Sequence, residues 1–271
     1  MLCKKIFIAK PLKTALALGI LTTSANAFAF SPLQTEDSGT QGQYHGEVEL
    51  GYNYERTTSL DLEEDNRVDV FGHGSSIPGT FTFGLTDRLD ASIGVSRQLT
   101  PVKGWQNTEL GLKWNFLGEP DSGWSAAIKP TLILPLSTSS QNKDLGNART
   151  NWGMALIGSY TTEKYELHGN LKYTSNYRAK VIDVDDQRAH LWTVSVSPVW
   201  NINEQWKLGM EVGLETSADY SSHNQGFTQL AVSYSPIDNL TLGLGVGFNR
   251  AFGSPSKDRG LSVATTLAYQ F

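Results

Sequence analysis

The sequence predicts an all-β chain, a 12-stranded antiparallel transmembrane β-barrel of the outer-membrane type. Three observations predict it. Period-two alternation recurs in twelve segments, the connections between them alternate long and short, and aromatic residues mark both ends of the alternating runs. A barrel strand shows lipid only every second residue, so such a chain keeps the hydropathy of a soluble protein. Mean hydropathy here is −0.29, with 39% hydrophobic residues. No segment after residue 27 approaches the roughly 18 consecutive apolar residues of a membrane helix, which excludes a helical membrane protein.

The first residues read as an export signal. Lys4, Lys5, Lys10 and Lys13 form a positive region, residues 14–21 a short apolar core, and Ala25-Asn26-Ala27 an A-x-A cleavage site. That core falls far short of the roughly 20 residues needed to span a bilayer. The expected organisation is therefore a cleaved signal peptide at 1–27, a short periplasmic segment at 28–43 and the barrel at 44–271, placed in a bacterial outer membrane. Cys3 is lost with the signal, so disulfides, thiol catalysis and cysteine-held metals are excluded from the remainder, and no cofactor is expected. Removing 1–27 takes four of the 22 Lys and Arg and none of the 27 Asp and Glu, leaving a formal charge of −9. That balance argues against a nucleic-acid partner.

The first strand is read at 44–55, with Val48, Leu50, Tyr52 and Tyr54 on one face. Ile77, Phe81, Phe83 and Leu85, then Leu89, Ala91, Ile93 and Val95, form a hairpin about the turn at 86–88. The fourth to sixth strands carry Leu110, Leu112, Trp114 and Phe116; Trp124, Ala126, Ile128, Leu132 and Leu134; and Trp152, Met154, Leu156 and Tyr160. The next three carry Tyr165, Leu167, Leu171 and Tyr173; Trp192, Val194, Val196 and Trp200; and Trp206, Leu208, Met210, Val212 and Leu214. The last three carry Leu230, Val232 and Tyr234; Leu240, Leu242, Leu244, Val246 and Phe248; and Leu261, Val263, Leu267, Tyr269 and Phe271.

Long connections are read at 56–66, 97–106, 137–150, 178–188, 215–224 and 249–259. Short ones fall around Asp87, Pro120, Thr162, Asn203 and Asp238. Long loops at one end and short turns at the other, with an even strand count, are the outer-membrane pattern. Aromatics then assign the faces. Trp152 and Tyr160, Tyr165 and Tyr173, and Trp192 and Trp200 stand eight residues apart on one face. Eight residues at about 3.3 Å, tilted by about 40°, rise roughly 20 Å, which nearly matches the apolar band. Three prolines, Pro130, Pro135 and Pro198, predict bulges or strand ends. A phase break around Ser75 and Ser76 predicts another bulge.

The closing stretch, LSVATTLAYQF, alternates up to Phe271. Barrel closure pairs the last strand with the first, so a strand running to its final residue predicts a structural carboxyl end. This ending resembles the terminal signature of Gram-negative outer-membrane proteins, a final Phe with an aromatic two residues earlier. The resemblance implies that Tyr269 and Phe271 are read by the outer-membrane assembly machinery.

With the apolar face outward, the lumen-lining candidates are Glu47, Glu49, Asp90, Glu109, Lys113, Lys129, Glu166, His168, Lys172, Lys207 and Glu211. Both signs occur at similar depth, so they form either a structural polar filling or a selectivity lining. The last two strands place Thr241, Gly243, Gly245 and Gly247, with Ser262, Ala264, Thr266 and Ala268, inside. Free space is therefore expected against that wall, for a permeation path or for side chains crossing from the opposite side. His168 faces inward and His73, His190 and His223 lie near loops, but no spacing selects a Ser-His pair for hydrolysis, so an enzyme is not expected. The acidic stretches at 61–66 and 183–188 lack the ligand spacing of an EF-hand and read as solvated loops, with cation-bridged contact to lipopolysaccharide as the alternative.

At FGLTDRLDASIGVS, ELGLKWNF, AAIKPTLILPL and ELHGNLKYTSN the sequence resembles the outer-membrane family of meta-pathway of phenol degradation transporters, over most of the barrel. The resemblance implies a channel-like barrel admitting small compounds, aromatic or hydrophobic ones included. The function read from the sequence is passive uptake of small organic solutes, in contact with outer-membrane lipid and lipopolysaccharide. The alternatives are a structural or surface-interaction barrel with a closed, salt-bridged lumen, and an outer-membrane lipid hydrolase.

Overall fold

The computed structural model describes residues 31–63, 66–120, 122–179, 187–218, 224–251 and 259–271, the side chains of 58–63, 66–71 and 122 excepted. Its strands are β1 Gly46–Glu63, β2 Asn66–Thr86, β3 Leu89–Thr100, β4 Gly104–Trp105, β5 Glu109–Glu119, β6 Ser122–Ile133 and β7 Asn151–Thr161. They continue with β8 Tyr165–Ser175, β9 His190–Asn201, β10 Trp206–Glu215, β11 Gln225–Ile237, β12 Leu240–Ala251 and β13 Arg259–Gln270. β4 is a two-residue ladder on the loop after β3. The other twelve close an antiparallel barrel: each pairs with its sequence neighbours and β1 pairs with β13. One short helix, α1 Thr138–Gln141, interrupts the loop between β6 and β7. No described helix is long and apolar enough to cross a membrane.

The alternation does what the sequence pattern demands. Along β7 buried Asn151, Gly153, Ala155, Ile157 and Ser159 alternate with Trp152, Met154 and Leu156, which face outward. Period-two patterning puts every second side chain on one face, so the large apolar residues form the outer surface and polar residues fill the interior. Two aromatic belts result. Trp124 against Tyr160 (4.9 Å between centroids) and Trp206 against Tyr234 (4.4 Å) lie at the short-turn end. Trp152 and Trp192 both pack on Tyr173 (4.8 and 5.1 Å) at the long-loop end.

Closure involves the last residue. Gly46 and Phe271 exchange both main-chain hydrogen bonds at 2.9 Å, and the Phe271 ring stacks on Phe81 with centroids 6.4 Å apart. A Cβ on Gly46 would lie 2.8 Å from Phe271 Cζ, so any larger residue there must displace that ring.

Some sequence expectations are revised. The connection read as a loop at 56–66 is ladder: Arg56 pairs with His73, and pairing continues to Glu63 with Asn66. Beyond Thr58 and Ser75 these strands pair only with each other, so the hairpin tip extends past the barrel wall. Pro130 and Pro198 create neither a bulge nor a strand end. The β5–β6 ladder skips from Gly111–Thr131 to Trp114–Ile128, and the β9–β10 ladder from Gly209–Val199 to Val212–Val196, both without change of register. Each proline lacks the N–H for one neighbour while its carbonyl and the other ladder hold the strand. Pro135 lies beyond β6, and a register shift falls between Ser75 and Ser76 as predicted.

Candidate functional site

The lumen is occupied by the chain's own N-terminal segment. The sequence placed 28–43 outside the barrel as a short periplasmic segment; residues 31–41 instead pass along the inner wall, with Thr35, Asp37 and Ser38 at most 1% exposed. The segment is polar and small-residued, so it forms no strand of its own and takes its hydrogen bonds from the surrounding wall.

Its path follows the barrel circumference. Next to the short turn between β2 and β3, Thr40 Oγ1 donates to the Asp87 carbonyl (2.7 Å) and the Gln41 N–H reaches both Asp90 oxygens (3.1 Å). At β5 to β7, the Ser38 carbonyl accepts from Asn115 Nδ2 (2.9 Å), its hydroxyl is hydrogen-bonded to Ser125 Oγ (2.6 Å) and its N–H donates to Ser159 Oγ (3.0 Å). Glu36 receives Lys129 Nζ on both oxygens at 2.8 Å, and its main chain pairs with the Asn170 amide of β8. At β9 and β10, Thr35 bonds Ser195 (2.7 Å) and Glu211 Oε1 (2.5 Å), while the Gln34 N–H meets Glu211 Oε2 (2.9 Å). Leu33 packs on Val199 and Ala231, and Gln229 Nε2 of β11 donates to the Pro32 carbonyl (3.1 Å).

The first described residues of the segment, Ser31 and Pro32, lie on the wall read as free space. A Cβ on Gly243 would lie 2.6 Å from the Ser31 carbonyl, and one on Gly245 2.8 Å from Pro32 Cγ. Gly243 and Gly245 of β12 thus make room for Ser31 and Pro32 as well as for the adjacent Thr266 and Gln229 side chains, so this wall is covered by the segment.

The sequence candidates divide into three groups. Asp90, Lys113, Lys129 and Glu211 hold the segment, Lys113 Nζ standing 3.8 Å from Asp37. Glu166, His168 and Lys207 hold one another: Lys207 Nζ is 2.8 Å from Glu166 Oε1, and His168 Nε2 is 3.1 Å from Oε2. Glu47 and Glu49 share the inner face of β1, whereas Glu109 and Lys172 are exposed towards the long-loop end. Tyr269 and Phe271 sit in the short-turn belt.

One arrangement was not legible. His168 Nδ1 lies 2.9 Å from Ser159 Oγ, so Ser159, His168 and Glu166 stand in the order of a hydrolase triad. Ser159 and His168 are each 1% exposed, and Ser159 Oγ already accepts the Ser38 N–H, so the serine is sealed under the segment it helps to hold. The set fastens the segment.

Charge favours the docked state. Burial pushes the Glu36 carboxyl up, but Lys129 and Lys113 more than reverse this and hold it down at about 2, so the Lys129 contact is ionic throughout the neutral and mildly acidic range. Lumen-side serines and amides (Ser125, Ser159, Ser195, Asn115, Gln229) were missed as site residues because the sequence census of the interior counted charges only. The side chains at 61–66 and most of 183–188 lie outside the described residues, and no cluster of metal-ligating side chains occurs among the described ones.

At the long-loop end, the connection between β6 and β7 is fastened to both flanks. Asn107 Nδ2 donates to the carbonyls of Leu134 (2.7 Å) and Asn147 (2.9 Å), and Gln141 Oε1 accepts from Ala148 and Ala179 at 2.9 Å.

Solved structures share this architecture. The COG4313 outer membrane channel from Pseudomonas putida F1 superposes with a TM-score of 0.62 at 13% identity, over 92% of this chain and 98% of that one. A Pseudomonas aeruginosa FadL homologue gives 0.51 at 8% identity, over 84% and 90%. The deltaS2 mutant of the TodX monoaromatic hydrocarbon channel gives 0.51 at 9%, over 84% and 90%. At these identities the likeness is one of fold, an outer-membrane barrel. No curated protein sequence matches the chain. The family described as "Putative MetA-pathway of phenol degradation" matches residues 29–267, and the chain belongs to that family.

Proposed function

We propose that the protein is an outer-membrane channel for passive passage of small organic solutes, aromatic or hydrophobic ones included, whose lumen is held closed at rest by residues 31–41. The observation that carries the reading is the nature of the closure. The segment is a separable occupant, joined to the wall by hydrogen bonds and ion pairs rather than woven into the sheet. Removing it would leave a closed barrel with a polar interior, and flow would follow the solute gradient. The fold shared with a monoaromatic hydrocarbon channel supports aromatic solutes as the first class to try.

A second reading has its own support. Three ion pairs, Lys113–Asp37, Lys129–Glu36 and Lys207–Glu166, suit a barrel whose lumen is permanently closed and whose role is structural or surface-facing. Hydrolysis of lipid has no such support, because the buried serine lacks access. Under either reading, an export signal ending at Ala27 delivers the chain and the terminal Tyr269 and Phe271 present it to the assembly machinery.

Liposome swelling separates the two. Vesicles carrying a variant without residues 31–41 are expected to swell in small aromatic acids and neutral aromatics faster than vesicles carrying the intact protein. Equal, negligible swelling with a correctly folded variant would establish the closed barrel and refute the channel.

A further inference from the structure

The outer face of β10 to β13 carries a cluster of features away from the lumen. At the long-loop end, Leu214, Gly226, Arg250 and Arg259 stand side by side on one cross-strand row. Arg250 and Arg259 are both exposed and belong to the outward-facing set, in phase with Leu244, Val246 and Phe248 and with Leu261. Two like charges directly opposite each other on one face of an antiparallel pair destabilise it. Arg56 is outward on β1, opposite Leu261 and diagonal to Arg259. Among the described residues no carboxylate pairs with Arg250 or Arg259. The nearby Glu55 is on the inner face, where it accepts from Asn249. Other outward arginines at this end differ: Arg97 stacks over Trp105 (5.4 Å) and Arg149 over Tyr177 (5.9 Å).

A groove of about 500 Å³ lies near this pair. Gly226 presents no side chain to the outside and Thr228 only a short one, so the surface dips between Val212 and Leu214 on one side and Phe248 on the other. The floor and walls are almost wholly apolar. Gly226, at the groove's edge, is the direct cross-strand neighbour of Arg250, so the groove begins one strand away from the arginine pair and runs down the lipid-facing wall. An arginine pair with no carboxylate partner among the described residues, beside an apolar groove on the lipid-facing wall, matches an anionic lipid: phosphate above and hydrocarbon below.

We propose that this face binds a phosphorylated glycolipid of the outer leaflet, its phosphate between Arg250 and Arg259 and one acyl chain in the groove past Gly226. The site lies at the long-loop end, which faces the cell exterior in an outer-membrane barrel, so the lipid is drawn from the outer leaflet.

Native mass spectrometry of the full protein released from micelles tests it, with diphosphoryl lipid A, its dephosphorylated form, phosphatidylglycerol and inorganic phosphate as probes. Diphosphoryl lipid A is expected to remain bound. R250Q/R259Q should lower its affinity about tenfold, and Gly226→Leu, which fills the groove and leaves the charge intact, should lower it severalfold. Arg97→Gln should leave it unchanged. Electrophoretic heat-modifiability verifies that each variant is folded. Equal retention by R250Q/R259Q would overturn the proposal, as would retention of phosphatidylglycerol or the dephosphorylated lipid at the level of lipid A. An inorganic phosphate adduct without lipid, or a protein dimer in place of the lipid adduct, would overturn it too.

Discussion

Two carboxylates, Glu36 on the segment and Glu211 on the wall, hold the lumenal segment at separate points, and removing both charges should release it. Lys129 gives Glu36 two contacts at 2.8 Å, and Glu211 takes the Thr35 hydroxyl at 2.5 Å and the Gln34 N–H at 2.9 Å. Hydrogen bonds to a charged group contribute about 1.5–3 kcal/mol. The Glu36–Lys129 pair is only partly buried, so the low end applies there, while Glu211, fully buried, takes the middle of the range. Taking about 2 kcal/mol at each of two sites with no shared partner, Glu36→Gln with Glu211→Gln weakens docking by about 4 kcal/mol. At about 1.4 kcal/mol per factor of ten, the undocked fraction rises roughly a thousandfold. The assay is maleimide labelling of Leu33→Cys, whose native side chain packs on Val199 and Ala231. Labelling requires release, so its rate follows the undocked fraction. An increase of roughly a thousandfold in the double variant, with each single variant near the square root of that, about thirtyfold, is expected. A rate unchanged within about threefold would refute the reasoning that these charges hold the segment.

Other consequences follow from the same geometry. Gly245→Val, which places side-chain atoms against both Pro32 and the Gln229 amide that bonds its carbonyl, should loosen the segment at Pro32 and raise the same labelling rate. The Glu36 carboxyl is held at about 2 against an ordinary 4.5, so its contribution to docking is fully present above 4.5 and lost as pH falls through about 2. The ratio of Leu33→Cys labelling rates with and without Glu36→Gln, which isolates this contact, should therefore stay flat from pH 8 to about pH 5. Gly46→Val forces the Phe271 ring from its place and should destabilise the barrel by about 1–3 kcal/mol in urea unfolding. Leu244→Arg, at the middle of outward-facing β12, should cost about 2–4 kcal/mol by the same assay.

The barrel was legible because its signal is physical and local. Residues such as Leu242, Leu244 and Val246 face lipid, and Gly243, Gly245 and Gly247 between them do not, so alternation marked the strands, and the aromatic belts and the loop pattern gave their faces and the closure. Phe271 was legible for the same reason, since an alternating run reaching the last residue must find a partner, and it finds Gly46. The first hairpin was misjudged because residues 56–66 are charged and lose alternation, while their main chains still pair. The lumenal segment was hidden more deeply. Nothing in Ser31 to Gln43 repeats with a period, and hydrogen bonds such as Ser38 to Ser159 span more than a hundred residues of sequence, which no local pattern encodes. One trace of it was visible: the glycine row of β12 announced an empty wall, and the occupant of that wall is Pro32.

Single-channel conductance in planar bilayers tests the central claim most directly, comparing the intact protein with the variant lacking residues 31–41. The account predicts a protein that is closed for most of the recording and a truncated variant that conducts steadily, with small aromatics blocking its current. Indistinguishable traces from the two folded proteins, whether both open or both silent, would contradict it.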